Sequence, residues 1–545
     1  MSENPPNAAK SPAEGISAWS PFRHSVFAIL WCATVVSNIG TWMNDVGSSW
    51  LMASMAPSPL MVALVQSATT LPIFLFALPA GALADSLDRR RLLMGMQTAM
   101  AITVAVLATL VWLGWMNAYL LLFFAFLLGT GTAFSAPTWQ AIVPQLIPRE
   151  DLQAALALNS VGINISRAIG PALAGFMIVG IGMAAPFAFN ALSFLGVIAA
   201  LGWWRPPPSP PNTLPVESLG NAIVTGLRYT HASAPLKATL LRGAAFFIFG
   251  SAFWALLPLV AKHELQGGAK LYGILLGSVG LGAVLGAMVL PRLKRRINIS
   301  VLVGLATTNA ALVMGLLASS RIPAVAVLSC LLFGASWITI LSSISVSAQF
   351  ALPEWVRARG LSVFLTVFFG SMALGSAIWG KIAESSTLPT ALLLAASGAL
   401  LAIPLSWKAQ LTQGAGLDLS PSMHWPQPIV TLDAPHDRGP VMVMIEHQVD
   451  ESDRQDFLAA LTEQADARRR AGAVTWGVVE DAERPGRFVE YFMEDSWLGH
   501  LRHHQRVTQA DKQLQERVHS FHRGTQPPHV AHYLAPRLNG LPTRK

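Results

Sequence analysis

Residues 81–91 read Gly-Ala-Leu-Ala-Asp-Ser-Leu-Asp-Arg-Arg-Arg, and residues 286–296 read Gly-Ala-Met-Val-Leu-Pro-Arg-Leu-Lys-Arg-Arg. Each stretch follows a long apolar segment and ends in a cluster of basic residues, and the second lies 205 positions after the first. The same separation relates Gly129 to Gly334 and Pro148 to Pro353. Three matches at one separation indicate that the chain contains two parallel copies of one structural unit.

The composition indicates that two parts of the chain lie in different surroundings. Hydrophobic residues make up 53% of the 545 residues and charged residues only 12%, whereas charged residues make up about 25% of an ordinary soluble domain. Long apolar runs occupy the chain from residue 22 to about residue 407, and charged residues and histidines are frequent from about residue 440 onward. We therefore expect a lipid bilayer around the first part and water around the second.

Twelve apolar segments are long enough to cross a bilayer, which takes about 20 residues in a helix. They fall into two sets of six, at 22–50, 59–84, 92–115, 118–137, 152–180 and 185–204, and then at 237–261, 268–290, 299–319, 323–349, 361–382 and 388–407. The sequence thus predicts an all-α membrane protein with twelve transmembrane helices in two parallel six-helix repeats.

Basic residues set the predicted orientation in the membrane. Arginine and lysine are concentrated in the N-terminal tail and in every second loop, for example at 89–91 and 292–296. The other loops hold only Lys262, Lys270, Arg321 and Lys381. By the positive-inside rule, both termini are expected on the cytoplasmic side of a bacterial inner membrane. This distribution accounts for the net charge of +8 without a nucleic-acid partner.

The run 81–91 resembles the signature loop of the major facilitator superfamily, in which a glycine, an aspartate four residues later and a basic cluster follow the second helix. The matching residues are Gly81, Asp85, Arg89 and Arg90. The resemblance implies a secondary transporter in which Asp85 and Arg89 lock one end of one conformer, since aspartate can cap a helix and arginine can bind acidic groups. Asp88 replaces the usual second glycine, as in members that are similar to the enterobactin exporter.

A second resemblance lies in the fifth apolar segment. Residues 166–175 read Ser-Arg-Ala-Ile-Gly-Pro-Ala-Leu-Ala-Gly and are similar to the Gly-Pro motif of drug and proton antiporters in the same superfamily. The matching residues are Gly170, Pro171 and Gly175. Proline removes an intrahelical hydrogen bond and small residues let another helix approach, so we expect a moving interface here, and the resemblance implies export. An ordinary kinked packing helix, which says nothing about direction, is the alternative.

Polar residues inside apolar segments indicate where a transported molecule or ion passes, since each of them is costly in lipid. In the first segment, Asn38, Thr41 and Asp45 share one helix face, and in the fifth segment Asn164 and Arg167 do the same. We expect Asp45 to couple transport to protons with Arg167 as its partner, because a carboxyl group in a low dielectric can alternate between neutral and ionised forms. A purely structural Asp–Arg pair is the alternative.

The C-terminal region alternates strand and helix patterns in the order β-α-β-β-α-β. Strands are expected at 442–449, 474–479, 488–492 and 530–534, and helices at 453–470 and 497–517. The pattern resembles the ferredoxin-like domain of antibiotic-biosynthesis monooxygenases, and the stretches 472–476 and 496–504 look like the C-terminal part of transmembrane secretion effectors. We expect His500, His503 and His504 on a solvated helix face without a metal, and we assign no catalytic residue and no cofactor.

The predicted organisation is a cytoplasmic tail (1–21), a six-helix bundle (22–204), a cytoplasmic linker (205–236), a second six-helix bundle (237–408), a linker (409–440), a ferredoxin-like soluble domain (441–535) and a tail (536–545). The predicted function is proton-coupled export of a small amphipathic molecule of the siderophore or drug class, without enzymatic activity. The expected partners are this substrate, protons, the lipid bilayer and a second copy of the chain bound through the C-terminal domain. The alternative is a monooxygenase-like enzyme that the helices anchor to the membrane.

Overall fold

A computed structural model of the chain describes residues 19–55, 58–205, 219–412, 418–422, 424–425 and 438–535. Within these residues, twelve helices are long and apolar enough to cross a membrane. The prediction of a mostly helical protein with twelve transmembrane helices is confirmed.

The transmembrane helices form two bundles, which a short helix separates. The first bundle contains α1 (Ser25–Met55), α2 (Pro59–Ser86), α3 (Arg89–Trp112), α4 (Ala118–Ile142), α5 (Leu152–Gly180) and α6 (Ala185–Trp203). The separating helix is α7 (Leu219–Ala232). The second bundle contains α8 (Ala234–Leu259), α9 (Ala269–Lys294), α10 (Ile299–Ser319), α11 (Pro323–Phe350), α12 (Arg357–Ser385) and α13 (Leu388–Leu405).

Two glycines show that the bundles repeat one packing arrangement. Gly129 of α4 faces the carbonyl oxygen of Thr69 in α2, and Gly334 of α11 faces the carbonyl oxygen of Val279 in α9. A Cβ atom at either glycine would overlap that oxygen, so both close helix contacts require glycine. Equivalent helices of the two halves therefore pack in the same way, as the repeated positions in the sequence predicted.

The loop between α2 and α3 ends in a helix cap. Oδ1 of Asp88 accepts a hydrogen bond from the backbone N–H of Arg91 at 2.9 Å. In the equivalent loop of the second half, Asn298 accepts from the backbone N–H of Ser300 at 2.8 Å and begins α10. Aspartate and asparagine are favoured here because their side chains satisfy N–H groups that have no partner within the helix. Asp88, which departs from the signature pattern, therefore fixes the start of α3.

Arg90 connects this loop to the end of α6. Its guanidinium donates from Nε to the carbonyl oxygen of Leu201 and from Nη2 to that of Gly202, both at 2.7 Å. These carbonyls lie in the last turn of α6, where the helix dipole favours a cation.

We expect Arg90→Ala to lower the free energy of unfolding in detergent by about 1–3 kcal/mol. Arg91→Ala, which removes an exposed side chain, is the control with an expected change of about 0.5 kcal/mol or less, and equal losses would contradict this role.

The C-terminal domain contains one antiparallel sheet in the order β2-β3-β1-β4. Its elements are β1 (Val441–Gln448), α14 (Arg454–Ala471), β2 (Thr475–Glu480), β3 (Arg487–Glu494), α15 (Trp497–Arg506), α16 (Gln509–His519) and β4 (His529–Leu534). The prediction of one helix over 497–517 is wrong. The helix is divided because Thr508 forms a capping box with Asp511 and starts a new helix.

Candidate functional site

The two bundles enclose a cavity of about 280 Å³ at their interface. Helices α1, α2 and α5 line it from the first half, and α8, α9, α11 and α12 line it from the second. Ligand sites in proteins are commonly cavities between packed elements, with apolar walls and a few polar groups. This cavity is therefore the candidate substrate site.

The wall from the first half is polar and carries both signs of charge. Asp45 of α1 and Arg167 of α5 line the cavity together with Gln66 and Thr69 of α2. Among the described residues that line it, Asp45 is the only acid and Arg167 the only cation. Two ionisable side chains inside a membrane bundle mark a path for a charged substrate or for protons.

Arg167 and Asp45 do not contact each other in this conformation. The guanidinium of Arg167 lies 5.4 Å from the centroid of the Trp42 ring, and its buried Nε has no hydrogen-bond partner. The ion pairs between described residues do not include Asp45 with Arg167. The predicted direct pair is thus not formed in this conformation.

The other predicted polar residues lie off the cavity wall. Asn38 and Thr41 do not line the cavity, and the hydroxyl of Thr41 donates to the carbonyl oxygen of Ser37 at 3.0 Å. Asn164 is also outside the wall and donates to the carbonyl oxygen of Ser160 at 2.9 Å. The side chains of Thr41 and Asn164 thus satisfy carbonyls of their own helices.

The wall from the second half is aromatic. Trp337 of α11 lies 5.3 Å from Trp254 of α8 and 6.5 Å from Phe368 of α12 between ring centroids, and all three line the cavity. The sequence analysis missed Trp337 and Phe368. The depth of Trp337 in its segment was an available signal, since tryptophan is otherwise enriched at membrane interfaces.

Close contacts shut the cavity at the end of the bundle where α1 ends and α9 begins, which we call the far end. The ring of Trp50 stacks on Tyr272 of α9 at 5.9 Å. Nζ of Lys262 donates to the carbonyl oxygen of Ala53 at 2.5 Å. These contacts join the two halves across the far end.

The helix-five motif lies at two helix contacts. A Cβ atom on Gly170 would lie 2.6 Å from Cβ of Trp42, so this glycine brings α5 close to α1. A Cβ atom on Gly175 would lie 2.8 Å from the carbonyl oxygen of Ala269 and 3.2 Å from Cα of Gly273. A Cβ atom on Gly273 would in turn lie 2.6 Å from the carbonyl oxygen of Pro171. Residues 170–175 therefore allow α5 to pack against α1 and α9 together.

Toward the opposite end, which we call the signature-loop end, the faces of α5 and α9 that form their common seam become exposed. On α5, the face that packs against α9 at Ala168 is exposed at Val161 and Ala157, about two and three turns earlier. On α9, the corresponding face is exposed at Ala287 and Met288. Gly81 of the signature loop stays near α12, where its Cβ would lie 3.5 Å from Oγ of Ser362. This conformer is thus closed at the far end and exposes these faces of α5 and α9 at the signature-loop end.

The signature-loop residues are only partly described. Arg90 holds the end of α6, and Arg89 begins α3. The side chain of Asp85 lies outside the part of the chain that the structure describes. The proposed lock between Asp85 and Arg89 therefore stays a prediction.

A model of the transmembrane secretion effector family matches residues 16–539. The chain belongs to this family, within the major facilitator superfamily. The secretion effector is therefore a multi-pass membrane transporter, and the predicted family and fold class are confirmed. The match includes the C-terminal domain as well as both bundles.

Two curated relatives are siderophore transport proteins by name. The staphyloferrin A transporter of Staphylococcus aureus (strain NCTC 8325 / PS 47) is 23% identical over 266 residues, which cover 48% of this chain and 65% of the relative, just under two thirds. The enterobactin exporter EntS of Escherichia coli O6:K15:H31 (strain 536 / UPEC) is 26% identical over 379 residues, which cover 67% of this chain and 86% of the relative.

The solved structure of a POT family transporter in complex with a thioalcohol-conjugated peptide has the same fold. It superposes with a TM-score of 0.57 at 14% identity and covers 70% of this chain and 95% of its own. This likeness shows the fold alone.

The C-terminal domain contains a buried group of acidic and histidine side chains. Nδ1 of His500 and Nδ1 of His503 both hydrogen-bond the carboxylate of Glu494, the first at 2.8 Å. His500 and His503 are 1% and 2% exposed. The predicted solvated helix face is therefore wrong, because this face of α15 packs against β3. Sequence reasoning missed Glu494 because it lies on a strand, outside the helical spacing that relates the histidines.

The protonation states in this group follow from its surroundings. Burial alone would raise the pKa of Glu494, but the charges and hydrogen bonds of His503 and His500 hold it well below its usual range. Burial, assisted by neighbouring histidines, lowers the pKa of His504 to about 3 and that of His532 to about 4. At neutral pH the carboxylate is thus ionised, and the rings of His504 and His532 are neutral.

The C-terminal domain contacts the membrane part at α7 and at the turn before α12. Arg228 of α7 donates to the carbonyl oxygen of Gly472 at 3.2 Å and pairs with Asp495 at 3.6 Å. The guanidinium of Arg506, the last residue of α15, lies 4.4 Å from the ring centroid of Trp355. These contacts connect the C-terminal domain to the helix between the two bundles and to the turn that precedes α12.

Proposed function

We propose that this secretion effector exports a small anionic chelator of the siderophore type across the bacterial inner membrane, with both termini in the cytoplasm and protons as the driving ion. The observation that carries the proposal is the cavity between the two bundles, with Arg167 and Asp45 on one wall and aromatic rings on the other. Its relatives named for staphyloferrin A and enterobactin support this class of substrate.

The cavity suits a ligand that is anionic and partly aromatic or apolar. The Nε of Arg167 has no hydrogen-bond partner in this conformation, and a guanidinium binds carboxylates and similar oxyanions through paired hydrogen bonds. Trp254, Trp337 and Phe368 provide ring faces for the remainder of the ligand. A neutral or cationic drug would leave the buried guanidinium without an anion, so the chelator fits this site better.

The closed far end is compatible with loading of the substrate from the cytoplasm. With the signature loop on the cytoplasmic side, this conformer exposes the α5–α9 seam to the cytoplasm and keeps Trp50 and Tyr272 in contact on the outer side. A rocking motion of the two bundles would exchange these states. Asp45 would release or take up a proton as access changes.

The C-terminal domain is proposed to regulate transport. Its contacts with Arg228 on α7 and Trp355 before α12 place it against the linker and against a helix that lines the cavity. Dimerisation through the same domain is compatible with these contacts. A membrane-anchored enzyme has no comparable support, because an anchor has no need of a charged cavity between two bundles.

The test is transport into inverted membrane vesicles that are energised by respiration. We expect accumulation of a catecholate or hydroxycarboxylate siderophore, abolished by a protonophore, and little accumulation of a cationic drug.

Arg167→Gln should reduce siderophore uptake to the level of vesicles without the protein, because the anion loses its partner. Asn164→Ala, one turn earlier and off the cavity wall, should transport like the parent. Uptake of the cationic drug alone, unchanged in Arg167→Gln, would overturn the assignment of substrate class.

A further inference from the structure

Three histidines of the C-terminal domain converge on one point. His500 and His504 are four residues apart on α15, so they share one helix face. His532 lies on β4, and the facing nitrogen atoms of the three rings are within 4.8 Å of one another. The Nε2 atoms of His500 and His504 are 3.2 Å apart.

This separation is close to that required by a shared metal ion. Two nitrogens that bind one tetrahedral ion at 2.0–2.1 Å lie about 3.3–3.4 Å apart. His500 and His504 already meet that condition, and only the His532 ring has to turn inward. Imidazole nitrogens are ligands of zinc, cobalt, nickel and copper.

The buried carboxylate of Glu494 prepares the first ligand. The contact of Glu494 Oε2 with His500 Nδ1 at 2.8 Å fixes the orientation of the imidazole ring, with Nδ1 toward the carboxylate and Nε2 on the opposite side. Nε2 thus faces His504. A carboxylate that orients a histidine in this way is the usual outer partner of a metal-bound imidazole.

The site has a side open to solvent. His500 is buried, His504 is half-buried and His532 is exposed, so an ion can reach the three nitrogens from the direction of β4. Three protein ligands leave a fourth position of a tetrahedral ion for water or another small ligand. Such a site exchanges its ion more readily than one with four protein ligands.

We propose that His500, His504 and His532 bind one divalent transition-metal ion of the zinc type, with Glu494 as the group that orients His500. This assignment differs from the sequence-based expectation of no metal, and it does not depend on the proposed transport function. The ion would connect α15 to β4. Because Arg506 at the end of α15 packs on Trp355, the ion would also stabilise the helix that contacts the membrane part.

The experiment uses the full chain, purified in detergent with an affinity tag that contains no histidine. Co²⁺ is the probe, because a tetrahedral Co²⁺ site absorbs visible light strongly. We expect one equivalent of Co²⁺ to bind with this absorption, and Zn²⁺ to displace it. His504→Ala and His532→Ala should weaken binding at least about tenfold, and Glu494→Gln by about 10- to 100-fold.

His529→Ala is the matched control, since it removes an exposed histidine from the same strand outside the cluster. It should bind Co²⁺ like the parent. His532→Ala, which changes an exposed side chain, keeps the test informative if the buried variants fail to fold. If the parent binds no more Co²⁺ than His532→Ala, then His500 and His504 are joined only by an N–H···N hydrogen bond, and the metal assignment is wrong.

Discussion

Asp45→Asn should reduce proton-driven transport to the rate measured without a gradient, while exchange of substrate across the membrane continues. Asp45 is the only acidic residue among the described residues that line the cavity. A carboxyl group that faces each side of the membrane in turn can be loaded and unloaded with a proton, and asparagine keeps its shape but cannot carry the proton. Energised uptake and gradient-free counterflow of the same siderophore, measured in vesicles with equal protein levels, separate the two functions.

Thr41→Val is the matched control for this prediction. Thr41 lies one turn before Asp45 on α1, outside the cavity wall, and its hydroxyl bonds only the carbonyl oxygen of Ser37. We expect this variant to keep both energised uptake and exchange. If Asp45→Asn also keeps energised uptake, Asp45 is a structural polar residue and the driving proton binds elsewhere.

The membrane fold was predictable because lipid imposes strong demands on a sequence. A spanning segment must be a helix of about 20 apolar residues, so the apolar runs gave the twelve helices directly. The repeat was equally clear, since Gly129 and Gly334 each have to sit against a backbone carbonyl. In contrast, the cap formed by Asp88 was not predicted. The sequence analysis considered Asp88 only as a replacement of the second glycine in the signature loop.

The cavity was predictable only in part. The cost of burying a charge in lipid singled out Asp45 and Arg167, and both line the cavity. The same reasoning selected Asn38 and Asn164, which lie off the wall, because helical spacing shows which residues share a face but not which neighbour that face meets. The stacking of Arg167 on Trp42 depends on how α5 leans against α1, and spacing within one helix carries no information about that.

The histidine cluster was misjudged for a related reason. The spacing of His500, His503 and His504 placed them correctly on one helix face, but with no acidic or cysteine partner at metal-ligand spacing nearby in the sequence, this face was expected to be solvated. Glu494, at the end of β3, hydrogen-bonds two of these rings, so this face of α15 is buried against the strand. A buried carboxylate far from the helical repeat can be recognised only once the strand has been placed.

The second large effect is expected at the far end of the α5–α9 seam. Gly175→Val should reduce transport to background, because a Cβ atom there would lie 2.8 Å from the carbonyl oxygen of Ala269 and 3.2 Å from Cα of Gly273. Both are backbone atoms, which cannot rotate away as a side chain could. The two halves would then fail to close at the far end, and the conformer described here would be lost.

The measurement is the accessibility of the cavity from outside. In a Cys32→Ser background, a reporter introduced as Ser49→Cys on the cavity wall should react faster with an impermeant maleimide in right-side-out vesicles when Gly175→Val is present. Gly180→Val is the control on the same helix, because a Cβ atom there has no neighbour within 4 Å. It should leave both labelling and transport near the parent values. Slow labelling in both variants together with full transport would show that α5 and α9 do not need to touch at Gly175 for the far end to close.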